Sequence, residues 1–368
     1  MKKILYVTNI SRTVNTFFIP HMNHLVDVGH QVDCACKLTG EHKLKKEKID
    51  NRIKFYDIPF TRNPLDYKNI IAFFKLYKIQ KKEKYDIIHV HTPIASFYTR
   101  LLKIFFNDVR MIYTVHGFHF YKGSSKLSWL IFGNIEKIFS KFTDVIITIN
   151  DEDYRVAKKF KCNDVRKING VGVNFSEFKT MDKETKIKLR ESVGLEIDDF
   201  VLIMVGEHNK NKNQIQLIKA IEDIEKINSK IKAILIGDGE LLEENKRYIL
   251  DNNIKNVKVL GFRKDVNEMI NISDVLISMS YREGLPKNVI EAMACSKPLI
   301  LTDIRGNRDL VMNNKNGFIV NVGDIEHTKK AIIKLYNIEN IDYLGNKSLE
   351  YSKIYDVNLI VQEISKCY

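Results

Sequence analysis

The chain predicts an α/β protein built from two successive doubly wound parallel sheets. Three observations lead there. Short apolar runs alternate with amphipathic stretches along the whole length, the runs fall into two series, and a polar, charge-rich segment separates the series. At 368 residues the chain exceeds the size at which one core stops growing, and 44% hydrophobic residues are enough for two.

In the first series the strand candidates are Lys3 to Val7, Gln31 to Cys36, Ile53 to Tyr56, Ile87 to Val90, Met111 to Val115 and Val145 to Ile149. The second series begins at Phe200 to Val205 and continues through Ala233 to Ile236, Val257 to Leu260, Val275 to Ser278, Pro298 to Leu301 and Gly317 to Val320. Near-continuous aliphatic runs of this kind suit strands buried on both faces. Between the series, the segment from Thr180 to Lys188 is rich in Lys, Glu, Asp and Thr, which places a linker near residues 175–195. The expected domains are therefore 1–180 and 190–345, followed by a helical stretch from Asn346 to Tyr368.

Composition narrows the class further. No stretch approaches the roughly 18 apolar residues of a membrane span. Met1-Lys2-Lys3 leads directly into Ile4-Leu5-Tyr6-Val7 and polar Thr8-Asn9, too short for the apolar region of a signal peptide, so the expected location is the cytoplasm. Five cysteines without zinc-site spacing read as reduced, small hydrophobes.

Charge is unevenly spread. Residues 1–180 hold 31 Lys+Arg against 17 Asp+Glu, a net of +14, whereas residues 181–368 hold 28 against 29, a net of −1. In the first half, lysines interleave with aromatic and aliphatic residues from Tyr67 to Lys78, from Phe97 to Phe106 and from Lys126 to Phe142. Such stretches resemble interfacial helices resting on an anionic membrane, and they also suit core-facing helices with a solvated lysine edge. A nucleic-acid partner is not expected, because no helix-turn-helix, zinc-finger or ribonucleoprotein pattern accompanies the basic residues.

The most informative segment is Tyr281-Arg282-Glu283-Gly284-Leu285-Pro286-Lys287-Asn288-Val289-Ile290-Glu291-Ala292-Met293-Ala294. It follows the strand candidate Val275 to Ser278, so Glu283 falls on the loop at the strand's carboxyl end, where open α/β sheets bind ligands. From Lys287 the pattern turns helical and Glu291 lies about one turn in. Gly284, with Leu285 and Asn288 beside it, can offer backbone N–H groups at a positive helix end to a diphosphate, while Glu283 and Glu291 can accept hydrogen bonds from sugar hydroxyls. One site can thus hold both halves of a nucleotide sugar.

Other loops at strand ends add candidates. Gly206-Glu207-His208-Asn209-Lys210-Asn211-Lys212-Asn213 links a strand to a helix, so Gly206 and Lys212 can reach a diphosphate. Gly237-Asp238-Gly239-Glu240 reads mainly as a tight turn. Histidines gather after two strands of the first half: His89 and His91, then His116 followed by Gly117. His89 and His91 share a strand face without a carboxylate or cysteine pattern, which favours structural or acceptor-side hydrogen bonding over a metal, and Asn9 is a further acceptor-side candidate. Asp151-Glu152-Asp153 opens a helix, where acids favour the positive end, so it reads as a cap and no metal is implied.

Glu-Gly-Leu-Pro followed by Glu-Ala-Met-Ala resembles the signature of glycosyltransferase family 4, the retaining transferases of GT-B fold. The resemblance covers most of the chain and is strongest from Gly206 to Gly317. It implies two Rossmann-like domains facing a central cleft, a basic N-terminal acceptor domain, a C-terminal nucleotide-sugar domain, and a final helix that crosses back to the first domain. It assigns Glu283 to the donor sugar, Glu291 to the ribose, the backbone near Phe262 and Arg263 after Gly261 to the nucleobase, and His116 to the donor sugar near its 6-position and the reacting centre. Lys212 matches the family's diphosphate lysine, but Glu207 stands where an Arg is expected, which resembles the capsule and exopolysaccharide subgroup. At the amino end, Thr8 to Thr16 replaces the glycine-rich first loop common in the family.

The implied activity is retaining, metal- and cofactor-independent transfer of a hexose or N-acetylhexosamine from a UDP-sugar to a polyprenyl-diphosphate-linked glycan, specifically an undecaprenyl-diphosphate one. It belongs to capsule, exopolysaccharide or O-antigen assembly at the inner face of the membrane. Two rival readings stay open: a nucleotide-sugar 2-epimerase of the same fold, and a non-catalytic nucleotide-sugar or glycan-binding scaffold.

Overall fold

The computed structural model describes residues 1–39 and 43–368. Two compact units emerge: Met1–Gly172 together with Val357–Tyr368, and Val173–Asp356.

In the first unit, seven strands form one sheet: β1 (Lys3–Ile10), β2 (Gln31–Lys37), β3 (Lys54–Asp57), β4 (Ile87–His91), β5 (Arg110–Val115), β6 (Val145–Thr148) and β7 (Asp164–Lys167). Their order is β3-β2-β1-β4-β5-β6-β7, with every pair parallel. The central strands are buried throughout; in β4 all of Ile87 to His91 are inaccessible. Helices cover both faces, as parallel crossovers require. The longest, Tyr67–Glu83, starts where the Asp66 side chain accepts from the Lys68 N–H at 2.9 Å and ends on Lys84 in the left-handed region. The closing helix Val357–Ser365 packs on the helix Ile19–Asp27, which returns the C-terminus to this unit.

The second unit has six parallel strands: β8 (Phe200–Val205), β9 (Ile231–Ile236), β10 (Val257–Gly261), β11 (Val275–Ser278), β12 (Leu299–Thr302) and β13 (Gly317–Val320). They run in the order β10-β9-β8-β11-β12-β13. Two apolar layers sandwich this sheet, one built with Leu276, Val289, Ile290 and Met293, the other with Leu217, Ile221, Ile277 and Ile332. Both sheets therefore follow the 3-2-1-4-5-6 order of a dinucleotide-type fold, and the order reverses between β1 and β4 in one and between β8 and β11 in the other. Ligands bind such sheets beyond the carboxyl ends of the strands flanking that reversal.

Several boundaries differ from the sequence expectation. Strand β7 has no apolar run: Asp-Val-Arg-Lys sits at the sheet edge, half-exposed, where burial does not demand one. Thr8 and Asn9, expected in a loop, extend β1, which regains pairing at Ile10 with Lys37 after an irregularity. Most of the expected linker is the helix Lys183–Ser192 of the second unit, started by Asp182, whose side chain accepts from the Thr185 N–H at 2.9 Å. The expected returning stretch from Asn346 is divided. Residues up to Ser352 complete a helix packed on Lys287–Ala294 in the second unit, and only Val357 onward joins the first. Gly172 permits that junction, because a Cβ there would lie 2.6 Å from the Val357 Cα.

Candidate functional site

In the second unit, the loops after β8 and β11 meet at the reversal of strand order. Lys212 Nζ and Glu283 Oε1 are 2.6 Å apart, with side chains only 19% and 14% exposed. The Asn211 side chain donates to the Arg282 carbonyl at 3.0 Å, and the Tyr281 N–H donates to the Asn211 carbonyl at 2.8 Å, so the two loops are stitched by neutral bonds as well as by charge. Asn213 takes a left-handed conformation, which Asn tolerates, and turns the chain into the helix Gln214–Ile224.

Gly206 and the Gly237-Asp238-Gly239 turn set the backbone beneath this pair. The Gly206 N–H donates to the Ile236 carbonyl, and a Cβ at Gly237 would fall 2.1 Å from the Gly206 oxygen. Only glycine lets the turn after β9 approach the loop after β8 so closely. The His208 N–H donates to the Asp238 carbonyl at 2.7 Å, which fixes the same approach.

Beyond Glu283 the chain runs through Gly284 and Leu285 to the helix Lys287–Ala294. Among the described residues, the N–H groups of Gly284 and Leu285 have no acceptor, and they lie beside the unsatisfied first-turn N–H groups of that helix. Open N–H groups at a helix start can bind an anion. Asn288 does not face outward: its Nδ2 donates to the Val205 carbonyl at 2.7 Å and ties the helix to the end of β8. Glu291 is buried, burial pushes its carboxyl pKa up, and Lys287 Nζ at 2.7 Å opposes that shift. Phe262 and Arg263 follow β10, two strands out from β8. The Phe262 ring is 65% exposed, and the Arg263 guanidinium is held by the Asp265 carboxylate.

Two residues of this site were given no role in the sequence reading. Arg305, buried, donates through Nε to the Glu283 carbonyl at 3.1 Å, and Gly306 beside it has φ +80° and sits where a Cβ would fall 2.3 Å from the Gly284 oxygen. Lys287 is the second, as partner of Glu291. Arg305-Gly306 follows β12 at the same carboxyl edge, and that position is the signal that points to it. Glu207, where the family pattern has Arg, is exposed and is followed by buried His208.

The first unit gathers imidazoles at its own reversal point. His91 Nδ1 lies 3.2 Å from His116 Nε2, and His89 bonds through Nε2 to Thr114 Oγ1 at 2.7 Å and through Nδ1 to the Tyr368 hydroxyl. The Tyr6 and Tyr368 hydroxyls are 2.6 Å apart. Burial holds His89 and His91 well below the usual histidine range and pushes His116 and His21 down to about 4, so all four are neutral near pH 7. Asn9 is committed locally: its Oδ1 accepts from Thr92 Oγ1 at 2.9 Å and from the Ala95 N–H at 3.0 Å, at the start of the helix Pro93–Arg100. Asp153 receives the Asn150 Nδ2 and the Phe118 N–H at 2.7 and 3.3 Å, as a helix-start carboxylate does. Among the described residues no three His, Cys, Asp or Glu side chains gather as metal ligands.

A family model described as "Glycosyl transferases group 1" matches residues 185–349, and one described as "Glycosyl transferase 4-like" matches residues 3–150. The putative glycosyltransferase EpsD of Bacillus subtilis (strain 168) is 34% identical over 343 residues, 91% of this chain and 88% of its own. The chain is a family 4 glycosyltransferase. This glycosyltransferase is also 29% identical over 311 residues to the UDP-Gal:alpha-D-GlcNAc-diphosphoundecaprenol alpha-1,3-galactosyltransferase of Escherichia coli, covering 83% of this chain and 79% of that enzyme. The crystal structure of Anabaena HepE in complex with UDP and glucose matches with a TM-score of 0.82 at 19% identity, over 100% of this chain and 99% of that one. That likeness establishes the GT-B fold for the glycosyltransferase: two Rossmann-like domains, here the seven- and six-stranded units.

Proposed function

We propose that this glycosyltransferase retains anomeric configuration as it moves a hexose or N-acetylhexosamine from a UDP-sugar to an undecaprenyl-diphosphate-linked glycan in surface polysaccharide assembly. The observation that carries the donor half is the Lys212–Glu283 pair set against the open N–H groups of Gly284 and Leu285. A diphosphate competes with Glu283 for Lys212 and takes the N–H groups, and Glu283, once released, accepts from a sugar hydroxyl. Glu291, oriented by Lys287, accepts from the ribose, and the exposed Phe262 ring offers a face to the base. With Glu207 in place of an arginine, Lys212, the helix start and Lys287 supply the local positive potential. The acceptor class rests on the E. coli relative, whose name specifies a diphosphoundecaprenol substrate.

An acceptor anchored in a bilayer calls for a surface that rests on it. The first unit carries 31 Lys+Arg against 17 Asp+Glu and exposes Tyr67, Ile70, Ile71 and Phe74 on the helix Tyr67–Glu83, beside Lys75, Lys78, Lys81 and Lys82. Leu127, Leu130, Ile131 and Ile138 are exposed on a second stretch among Lys126, Lys137 and Lys141. No helix among the described residues is long and apolar enough to cross a membrane. We assign these two faces to an anionic lipid surface.

The test is incubation of purified protein with a panel of UDP-sugars and polyprenyl-diphosphate glycans, read by released UDP and product mass. Acceptor-dependent UDP release with one sugar added in unchanged anomeric configuration is expected, and it should persist in EDTA. A new nucleotide sugar formed without acceptor would mark an epimerase. Binding without turnover would mark a scaffold, and inverted product would overturn the retaining mechanism.

A further inference from the structure

The second unit has a further concavity at the amino edge of its sheet, the end opposite Glu283. A cavity of about 500 Å³ lies where β11 and β12 begin, against the helix Lys183–Ser192. Four cations line it, Lys183, Lys186, Arg190 and Lys297, against two acids, Asp274 and Asp342. In a unit with 28 Lys+Arg and 29 Asp+Glu, that is a local excess of positive charge.

The pairing within the cavity sharpens the excess. Arg190 consumes Asp274, with Nη2 at 3.0 and 2.8 Å from its two carboxylate oxygens. Lys297 is buried, and its Nζ donates to the Asn271 and Ser273 carbonyls at 2.9 and 2.5 Å, with no carboxylate among the described residues in ion-pair range. A buried ammonium held by carbonyls alone keeps most of its desolvation cost. Burial first, and Lys186 second, push the Lys297 pKa down to about 8. Among the described residues, the side-chain ammonium groups of Lys183 and Lys186 make no hydrogen bond or ion pair.

We propose that this cavity is a second ligand site, which binds a small phosphorylated metabolite through Lys186, Lys183 and Lys297. The volume falls within the usual range for small-molecule sites, and a dianionic phosphate matches the surplus of two positive charges. Phosphate oxygens would replace the missing counter-charge of Lys297 and the missing partner of Lys186. The site is also wired to the donor side. The helix Lys287–Ala294 begins beside Gly284, carries Glu291, and ends at Cys295–Lys297 in the cavity wall, so the ligand anchors the far end of the element that presents Glu291. Binding at the amino edge does not depend on the donor reading and would stand if that reading failed.

The experiment is calorimetric titration of the full chain with pyrophosphate, glucose 1-phosphate and UMP as separate arms, comparing wild type with Lys183→Ser/Lys186→Ser and with Lys212→Ala. Loss of one charge-assisted contact predicts at least about tenfold weaker binding of the best probe in the double variant. Lys212→Ala should retain that binding class. Lys183 is exposed and Lys186 half-buried on a surface helix that has no buried residue, so folding is preserved. If the double variant bound every probe as wild type does, or if Lys212→Ala alone abolished all binding, the second site would be overturned.

Discussion

Where strand order reverses, the first unit places neutral imidazoles, His89, His91 and His116, whereas the second places two ion pairs, Lys212–Glu283 and Lys287–Glu291. The same 3-2-1-4-5-6 topology thus fixes the location of a site and leaves its chemistry to the residues. The first unit has charge pairs too, but buries one away from that edge: Arg100 and Glu136 meet at 2.9 Å with side chains 0% and 6% exposed. Charge is sealed in the packing in one unit and stays partly accessible in the other.

Acid is the strongest way to break this contrast. His21, His89, His91 and His116 have folded pKa values below the ordinary 6.5 because they are buried. The unfolded chain therefore binds protons first as pH falls. The stability these groups provide is fully present above about 6.5 and is lost as pH falls below it, draining away towards about 4 for His21 and His116 and on the order of 3 kcal/mol for His21 alone. Melting followed across that window should show the first unit losing structure. A flat melting temperature between those values would contradict the buried, neutral cluster.

Next in size is Arg100→Ala. It leaves Glu136 as an uncompensated buried charge and removes the guanidinium 4.4 Å from the Tyr113 ring centre, so a loss of about 3–5 kcal/mol is expected in denaturant unfolding. Lys212→Ala, at a partly accessible pair, should cost far less stability and cut turnover instead. Equal destabilisation by both would erase the distinction between the two kinds of pair.

Charge reversal of Lys75, Lys78, Lys81 and Lys82 sharpens the comparison from outside. Each lysine near an anionic surface contributes about 1 kcal/mol, and the attraction falls off over roughly 8–10 Å at physiological salt. The quadruple Glu variant should leave phosphatidylglycerol vesicles at lower salt than wild type and slow transfer to lipid-linked acceptor, with donor affinity unchanged. Equal sedimentation of wild type with anionic and neutral vesicles would return the Tyr67–Glu83 helix to a solvated edge.

How much of this was legible in the sequence follows from the range of each interaction. Glu283 and Glu291 could be placed because a strand, a loop and a helix succeed one another within twenty residues, and local pattern fixes all three. Lys212 could be placed for the same reason, but its 2.6 Å bond to Glu283 spans 71 residues and no local pattern encodes it. Arg305 and Lys287 were missed because their roles depend on what they face after folding. The His89–Tyr368 bond, 279 residues apart, exists only because the last helix returns to the first unit. The polar edge strand β7 carries no apolar signature, so periodicity could not find it.

The central claim is that the carboxyl edge of the second unit holds the nucleotide, with Glu291 on the ribose, while the imidazole cluster of the first unit does not contribute to nucleotide affinity. Calorimetric titration of UDP into wild type, Glu291→Ala and His116→Ala tests it directly. Loss of a charge-assisted hydrogen bond predicts UDP binding weaker by about 1.5–3 kcal/mol, roughly 10- to 150-fold, in Glu291→Ala, and unchanged in His116→Ala, whose defect should be confined to turnover. UDP affinity in Glu291→Ala equal to wild type, or weakened to the same extent in His116→Ala, would contradict the account.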